Sequence, residues 1–131
     1  MAKKTILWVQ GDKEVIQAFE SRFRSQGWQL VWARSAHEGK ALAGQIKPDL
    51  TIMDVTMAGE HVYAAIRDFK SARGLEDVPI IVLNGIRRGR DETEASRRDG
   101  SPSEVDEFVD KSEDPDVLLS AVRKCLRTQV V

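Results

Sequence analysis

Five short runs with strand character, separated by stretches of helical periodicity, set the limits on what this chain can fold into. They are Thr5 to Val9, Trp28 to Trp32, Leu50 to Val55, Pro79 to Leu83 and the shorter Glu107 to Asp110. Short apolar runs rich in β-branched residues and bounded by turn residues read as buried strands. Between them the apolar spacing changes. Val15, Ile16, Phe19 and Phe23 recur at helical intervals and Gly27 ends that helix; Ala41, Leu42, Ala43 and Ile46 form a second stripe that stops before Pro48. A third helix carries Val62, Ala65, Ile66 and Phe69 and closes near Gly74, and a last one starts at Asp114 with Leu118, Ala121, Val122 and Cys125 on one face. Strand alternating with helix predicts crossover connections and a three-layer α/β fold, one parallel sheet covered by helices on both faces.

The stretch from Ile86 to Val105 breaks the pattern. It includes Arg87-Arg88-Gly89-Arg90-Asp91-Glu92 and Asp99-Gly100-Ser101-Pro102-Ser103-Glu104, mixes both charge signs and has no clear apolar stripe. A helix there should be irregular: short, shifted or mobile. Mixed charge reads as a solvated surface rather than a basic ligand site. No repeat or linker divides the chain, and 131 residues suit one domain, residues 1–131.

The charge balance narrows the function classes. Lys and Arg number 20 against 21 Asp and Glu, a net charge of -1, which argues against nucleic-acid binding by this domain. Cys125 is the single cysteine, so neither a disulfide framework nor a cysteine-based metal site is expected, and a reducing, cytoplasmic setting follows. The apolar stretch after Lys4 is too short for a signal peptide or a membrane span.

Chemistry is expected at one edge. In a parallel sheet the carboxyl ends of the strands meet, and open α/β folds bind their ligands there. That edge gathers Gln10-Gly11-Asp12, Asp54, Asn84-Gly85 and Lys111. Asp54 ends an apolar strand just before a loop containing Gly59. A carboxylate beside a lysine is a minimal unit for phosphoryl transfer, with Asp54 as nucleophile, Lys111 as point charge and Asn84 as hydrogen-bond donor. Gly85 leaves room for the phosphoryl group. The same two charges also suit a plain Asp54–Lys111 ion pair capping the sheet edge. A divalent cation would ordinarily be needed to offset negative charge on both reactants.

The order Ile6-Leu7-Trp8-Val9, Pro48-Asp49-Leu50-Thr51-Ile52-Met53-Asp54, Val78-Pro79-Ile80-Ile81-Val82-Leu83 and Phe108-Val109-Asp110-Lys111 resembles the receiver domain of two-component response regulators. The resemblance covers nearly the whole chain. It implies a flavodoxin-like receiver fold with strand order 2-1-3-4-5, an aspartate phosphorylated by a histidine kinase with Mg²⁺ in a phosphorelay, and an output face on the fourth and fifth elements. By the same resemblance Asp54 matches the phosphoacceptor and Lys111 the phosphate-contacting lysine. Thr56 matches the residue whose carbonyl binds the metal, Gly59 the loop glycine and Phe108 the switch aromatic.

The departures from the family pattern shape the expectation. The acidic pair after the first strand falls on Gln10 and Gly11, neither of which offers a carboxylate to a hard cation. Asp12 follows one position on; it reads first as a helix N-cap and second as a ligand reaching the ion through water. The hydroxyl switch residue falls on Asn84, the proline after the lysine on Ser112 and the loop proline on Ala58. A Mg²⁺ site on Asp54, Asp12 and Thr56 is therefore expected to be weak or absent. The chain reads as an atypical receiver, not an enzyme. It would work by protein–protein interaction with a histidine kinase or another signalling protein, with phosphorylation of Asp54 weak or absent. A working Mg²⁺-dependent phosphoacceptor is the alternative, and a small α/β enzyme or ligand-binding domain using the same edge is the reading from another class. A second copy of the chain, forming a homodimer, is a further candidate partner, and the sequence suits either a stand-alone receiver or a piece of a longer regulator.

The remaining candidates have plainer readings. Trp8, Trp28 and Trp32 sit at strand positions and read as packing rather than ligand stacking. His37 and His61 fall on different helices without a third ligand. Cys125 reads as core, and Gly85 to Gly89 lacks the pattern of a phosphate loop.

Overall fold

The computed structural model describes residues 3–9, 11–55, 62–72, 74–84, 106–110 and 114–127; for Val55, residues 62–65, Asn84 and Asp110 it describes the backbone. The elements run β1 (Lys4–Val9), α1 (Lys13–Ser25), β2 (Trp28–Ala33), α2 (Ala36–Ile46), β3 (Leu50–Val55), α3 (Val62–Lys70), β4 (Ile80–Asn84), β5 (Glu107–Asp110) and α4 (Pro115–Arg127). The strands form one sheet in the order β2-β1-β3-β4-β5, and every neighbouring pair is parallel. This is the expected architecture. The stretch 86–105, for which an irregular helix was expected, lies outside the described residues.

Side chains alternate across the sheet, so the central strands β1, β3 and β4 feed two cores. Ile6, Trp8, Leu50, Ile52, Ile81, Leu83 and Val109 point to one face, where Ile16 and Phe23 of α1 and the buried stripe of α4 cover them. Leu7, Val9, Met53, Ile80 and Val82 point to the other, beneath Ala43 of α2 and Ile66 and Phe69 of α3. Buried on both faces, β1, β3 and β4 are continuous apolar runs, as central strands of a parallel sheet must be.

Local signals fix the ends of the helices. After α1, Gly27 takes φ +83 and its N–H returns to the Arg24 carbonyl at 3.0 Å, a helix stop that favours glycine. Ser35 caps α2: its hydroxyl accepts from Glu38 N–H at 3.0 Å, while the Glu38 carboxylate accepts from Arg34 N–H at 2.7 Å. The Ser-x-x-Glu spacing is that of a capping box. Within α2, a Cβ at Gly39 would stand 2.8 Å from Val9 Cγ2, so the missing side chain lets the helix lie close on β1.

Candidate functional site

Asp54 stands one residue before the end of β3 and is 1 % exposed. Register explains which way it faces. Trp8 pairs with Ile52, and Asp54 lies two residues beyond Ile52, so Trp8 and Asp54 share the α1/α4 face of the sheet. The Trp8 indole Nε1–H donates to Asp54 Oδ2 at 3.1 Å. Each group answers the other's need: a buried carboxylate costs free energy unless donors reach it, and a buried indole N–H seeks an acceptor.

Aromatic packing holds the donor. The Trp8 ring lies 5.5 Å from Phe19 and 6.1 Å from Phe23, centroid to centroid, and Phe23 makes an edge contact with Trp28 at 5.3 Å. Phe19 and Phe23 are one helical turn apart on α1, so they present a continuous apolar wall to the indole. That wall constrains the ring as it faces the sheet edge.

Gly11 completes the arrangement. Its φ is +98, a conformation that favours glycine. A Cβ built there would overlap Asp54 Oδ2 and stand 2.9 Å from Trp8 Nε1. Residue 11, the Asp54 carboxylate and the Trp8 N–H thus converge on one small volume, filled by the carboxylate oxygen and bounded by the indole N–H. Asp12 takes the other role the sequence offered. With φ -90 and ψ 141 it is the N-cap of α1, and its carbonyl accepts from Ile16 N–H at 3.0 Å. Its exposed carboxylate makes no capping hydrogen bond.

The rest of the expected set is placed in part. Asn84 ends β4, in register with Val55 on one side and Asp110 on the other, so its backbone lies at the same sheet edge as Asp54. Lys111, Gln10, Thr56, Ala58, Gly59, His61, Gly85, Gly89 and Ser112 lie outside the described residues, and with them the Asp54–Lys111 pair. His37 is exposed on α2. Trp28 is buried and Trp32 partly so, both as strand packing. Cys125 is buried on α4. Burial pushes its thiol up to about 11, helped by the charges of Asp106 and Glu107 and opposed by Lys124. It is a core residue with little thiolate at neutral pH.

Sequence reasoning assigned Trp8 to packing and missed its contact with Asp54. The signal was parity. Aligning the first and third strands places residue 8 on the face of residue 54, and only a long side chain with a donor at its tip reaches across.

The described residues at this edge do not fit a magnesium ion. Mg²⁺ demands oxygen lone pairs in near-octahedral array. Gly11 supplies no side-chain oxygen, Trp8 presents a hydrogen to Asp54 rather than a lone pair, and the Asp12 carboxylate is exposed to solvent. Among the described residues no three His, Cys, Asp or Glu side chains converge in a way that could hold a metal.

The model of the response regulator receiver domain matches residues 6–123. The chain belongs to the response regulator receiver family. Among curated relatives, it is 24% identical over 121 residues to Protein PilH of Pseudomonas aeruginosa, covering 92% of this chain and 96% of that one. It is 23% identical over 122 residues to the DNA-binding dual master transcriptional regulator RpaA of Synechocystis sp., covering 93% of this chain; the chain spans about half of that relative, 48% of its length. Solved structures give the same fold. The signal receiver domain of a signal transduction histidine kinase from Syntrophus aciditrophicus superposes with a TM-score of 0.77 at 26% identity, over 95% of this chain and 91% of that one. The response regulator TrrA of Thermotoga maritima, solved with Mg²⁺ and BeF, gives 0.72 at 24% identity, over 93% and 98%. Receiver domains act in two-component phosphorelays with histidine kinases and other signalling proteins. The response-regulator resemblance and the strand order 2-1-3-4-5 are therefore established for this chain. Among the described residues no helix is long and apolar enough to cross a membrane.

Proposed function

We propose that this receiver works as an atypical, non-enzymatic protein–protein interaction module of a two-component pathway, with phosphorylation of Asp54 weak or absent. The observation that carries the reading is the closure around Asp54. The carboxylate is 1 % exposed, Oδ2 accepts the Trp8 N–H at 3.1 Å, and the family's acidic neighbour is a glycine with no space for a side chain. A phosphoryl acceptor must present an oxygen lone pair in line with the leaving group. A hydrogen bond from a packed indole ties up one of the two oxygens, and Gly11 cannot help to offset the incoming charge.

The partner surface is read at β5 and α4. Phe108 and Val117, 41% and 38% exposed, are the large apolar side chains turned to solvent among the described residues, one on each element. Exposed apolar side chains close to charged neighbours are the usual material of a transient interface. A histidine kinase or another signalling protein of the cytoplasm is the partner class, and a second copy of the chain is an alternative occupant. The DNA binding named for the cyanobacterial relative is not carried over, since the net charge of -1 gives no phosphate-binding footprint.

Intact-mass analysis after incubation with acetyl phosphate and Mg²⁺, with Asp54→Ala as control, tests the reading. The parent chain is expected to show no adduct, or a trace. An adduct of high occupancy on the parent alone would establish the alternative, a working Mg²⁺-dependent phosphoacceptor, in which the carboxylate oxygen attacks phosphorus as the phosphoryl leaving bond breaks.

A further inference from the structure

The changes at this edge look independent in the sequence: a tryptophan in the first strand, a glutamine and a glycine after it. The geometry links them. Trp8 Nε1, Asp54 Oδ2 and the direction in which residue 11 would project a side chain all meet within about one hydrogen-bond length. We infer that Trp8 and Gly11 form an interlock on Asp54, in which the indole N–H replaces a cation as the carboxylate's ligand and by its bulk excludes a metal. This rests on the function proposed above and names the residue responsible for it.

Three physical points support the inference. First, an N–H and a cation compete for the electron density of Oδ2, since both are electron-pair acceptors. Second, the indole has little freedom to swing aside, because Phe19 and Phe23 pack against its ring and Trp8 is fully buried. A close-packed interior offers few alternative rotamers. Third, an aspartate at position 11 would have to begin at a Cβ that already overlaps Asp54 Oδ2. Restoring the acids alone therefore drives a second carboxylate against Asp54 Oδ2 while the indole N–H holds that oxygen in place. Removing the indole relieves the 2.9 Å contact and frees Asp54 Oδ2 from its donor, so that the carboxylate can turn away from residue 11 and toward an ion.

Trp8 is thus a positioning residue whose removal, not merely the return of the acids, is needed to recreate a metal site. Two readouts test this without relying on phosphorylation. The first is Mg²⁺ binding by titration calorimetry. The parent, Gln10→Asp/Gly11→Asp and Trp8→Val are expected to give no binding heat, and the triple variant carrying all three changes is expected to bind. Binding by the acid-restored variant with Trp8 intact would overturn the inference, and so would failure of a folded triple variant to bind.

The second readout is the Trp8 indole N–H resonance, assigned by its loss in Trp8→Phe. It should be protected from solvent exchange in the parent, should not move with added Mg²⁺, and should shift or broaden in Asp54→Ala. A resonance that exchanges freely, or that ignores the loss of Asp54, would refute the interlock. Should the acid-restored variants fail to fold, thermal melts of Gly11→Ala serve instead. The drop in Tm is expected to be about twofold or more smaller when Trp8→Val is also present, because sites that share one volume couple; equal drops would refute the shared volume. Phosphorylation of the parent with the Trp8 resonance unmoved would sink the proposed function while sparing the interlock.

Discussion

Two edges of the same sheet use aspartate in different ways. At the amino edge, Asp49 Oδ2 accepts from Thr5 N–H at 2.8 Å while Asp49 N–H donates to the Thr5 carbonyl, also at 2.8 Å. Asp106 repeats the arrangement with Ile80: its Oδ2 accepts from Ile80 N–H at 2.8 Å, and its own N–H returns to the Ile80 carbonyl at 2.8 Å. Each aspartate thereby joins its own strand to the start of a neighbour, β3 to β1 and β5 to β4. These carboxylates face water in part, and the donor is backbone, which any sequence would supply. At the carboxyl edge, Asp54 is buried and a donor to it is one particular side chain. The amino-edge carboxylates are generic fasteners; the carboxyl-edge one depends on a partner that had to be provided by Trp8 and given room by Gly11.

That difference sets an order of mutational cost. Trp8→Ala should be the most damaging change, losing about 3–5 kcal/mol in chemical denaturation, because it opens a cavity beneath Phe19 and Phe23 and removes a donor from a buried carboxylate. A loss of less than 1 kcal/mol would erase the contrast between the edges. Gly11→Ala should cost about 2–4 kcal/mol, from the left-handed backbone and the overlap with Asp54 together. Asp49→Ala and Asp106→Ala should each cost about 1 kcal/mol and, being on different strand pairs, should add in the double variant within measurement error. Clear non-additivity would mean that the amino edge is also a coupled device. At the small end, Lys40→Ala, which breaks an exposed 3.1 Å pair with Asp68, should change stability by no more than about 0.5 kcal/mol, since solvent screens such pairs.

Cys125 supplies a check by a different ionisable group. Its folded value of about 11 lies above the ordinary 9.0, so the neutral thiol is the form that folding favours. The stability linked to it is complete below pH 9 and drains away as the pH rises from 9 through about 11. A thiol-reactive dye should accordingly label native protein slowly at pH 8 and denatured protein at once. Fast labelling of the native state would contradict the burial of α4 on β5.

The sequence carried the architecture because the relevant signals are periodic. Apolar runs of four to six residues marked β1 to β5 to within about two residues, and the helical stripes of α1, α2, α3 and α4 were visible as repeats of Phe, Ile, Leu and Val. Asp54 was legible as a buried strand end. What escaped was the pairwise contact between Trp8 and Asp54, which depends on register between strands more than forty residues apart. No one-dimensional period reports that. The tryptophan was read by its large apolar surface, and its single polar atom, which decides what it does here, contributes almost nothing to hydrophobic patterning. The amino-edge fasteners at Asp49 and Asp106 escaped for the same reason.

Gly11 also bears on which substitutions the chain tolerates. An acid placed at this position meets the Asp54 oxygen, the Trp8 nitrogen and a backbone that disfavours any side chain, all in the same step. A substitution at residue 11 therefore tests the fold as much as the site. Glycine and carboxylate are a matched pair: position 11 stays bare for as long as Asp54 Oδ2 fills the space a Cβ would take.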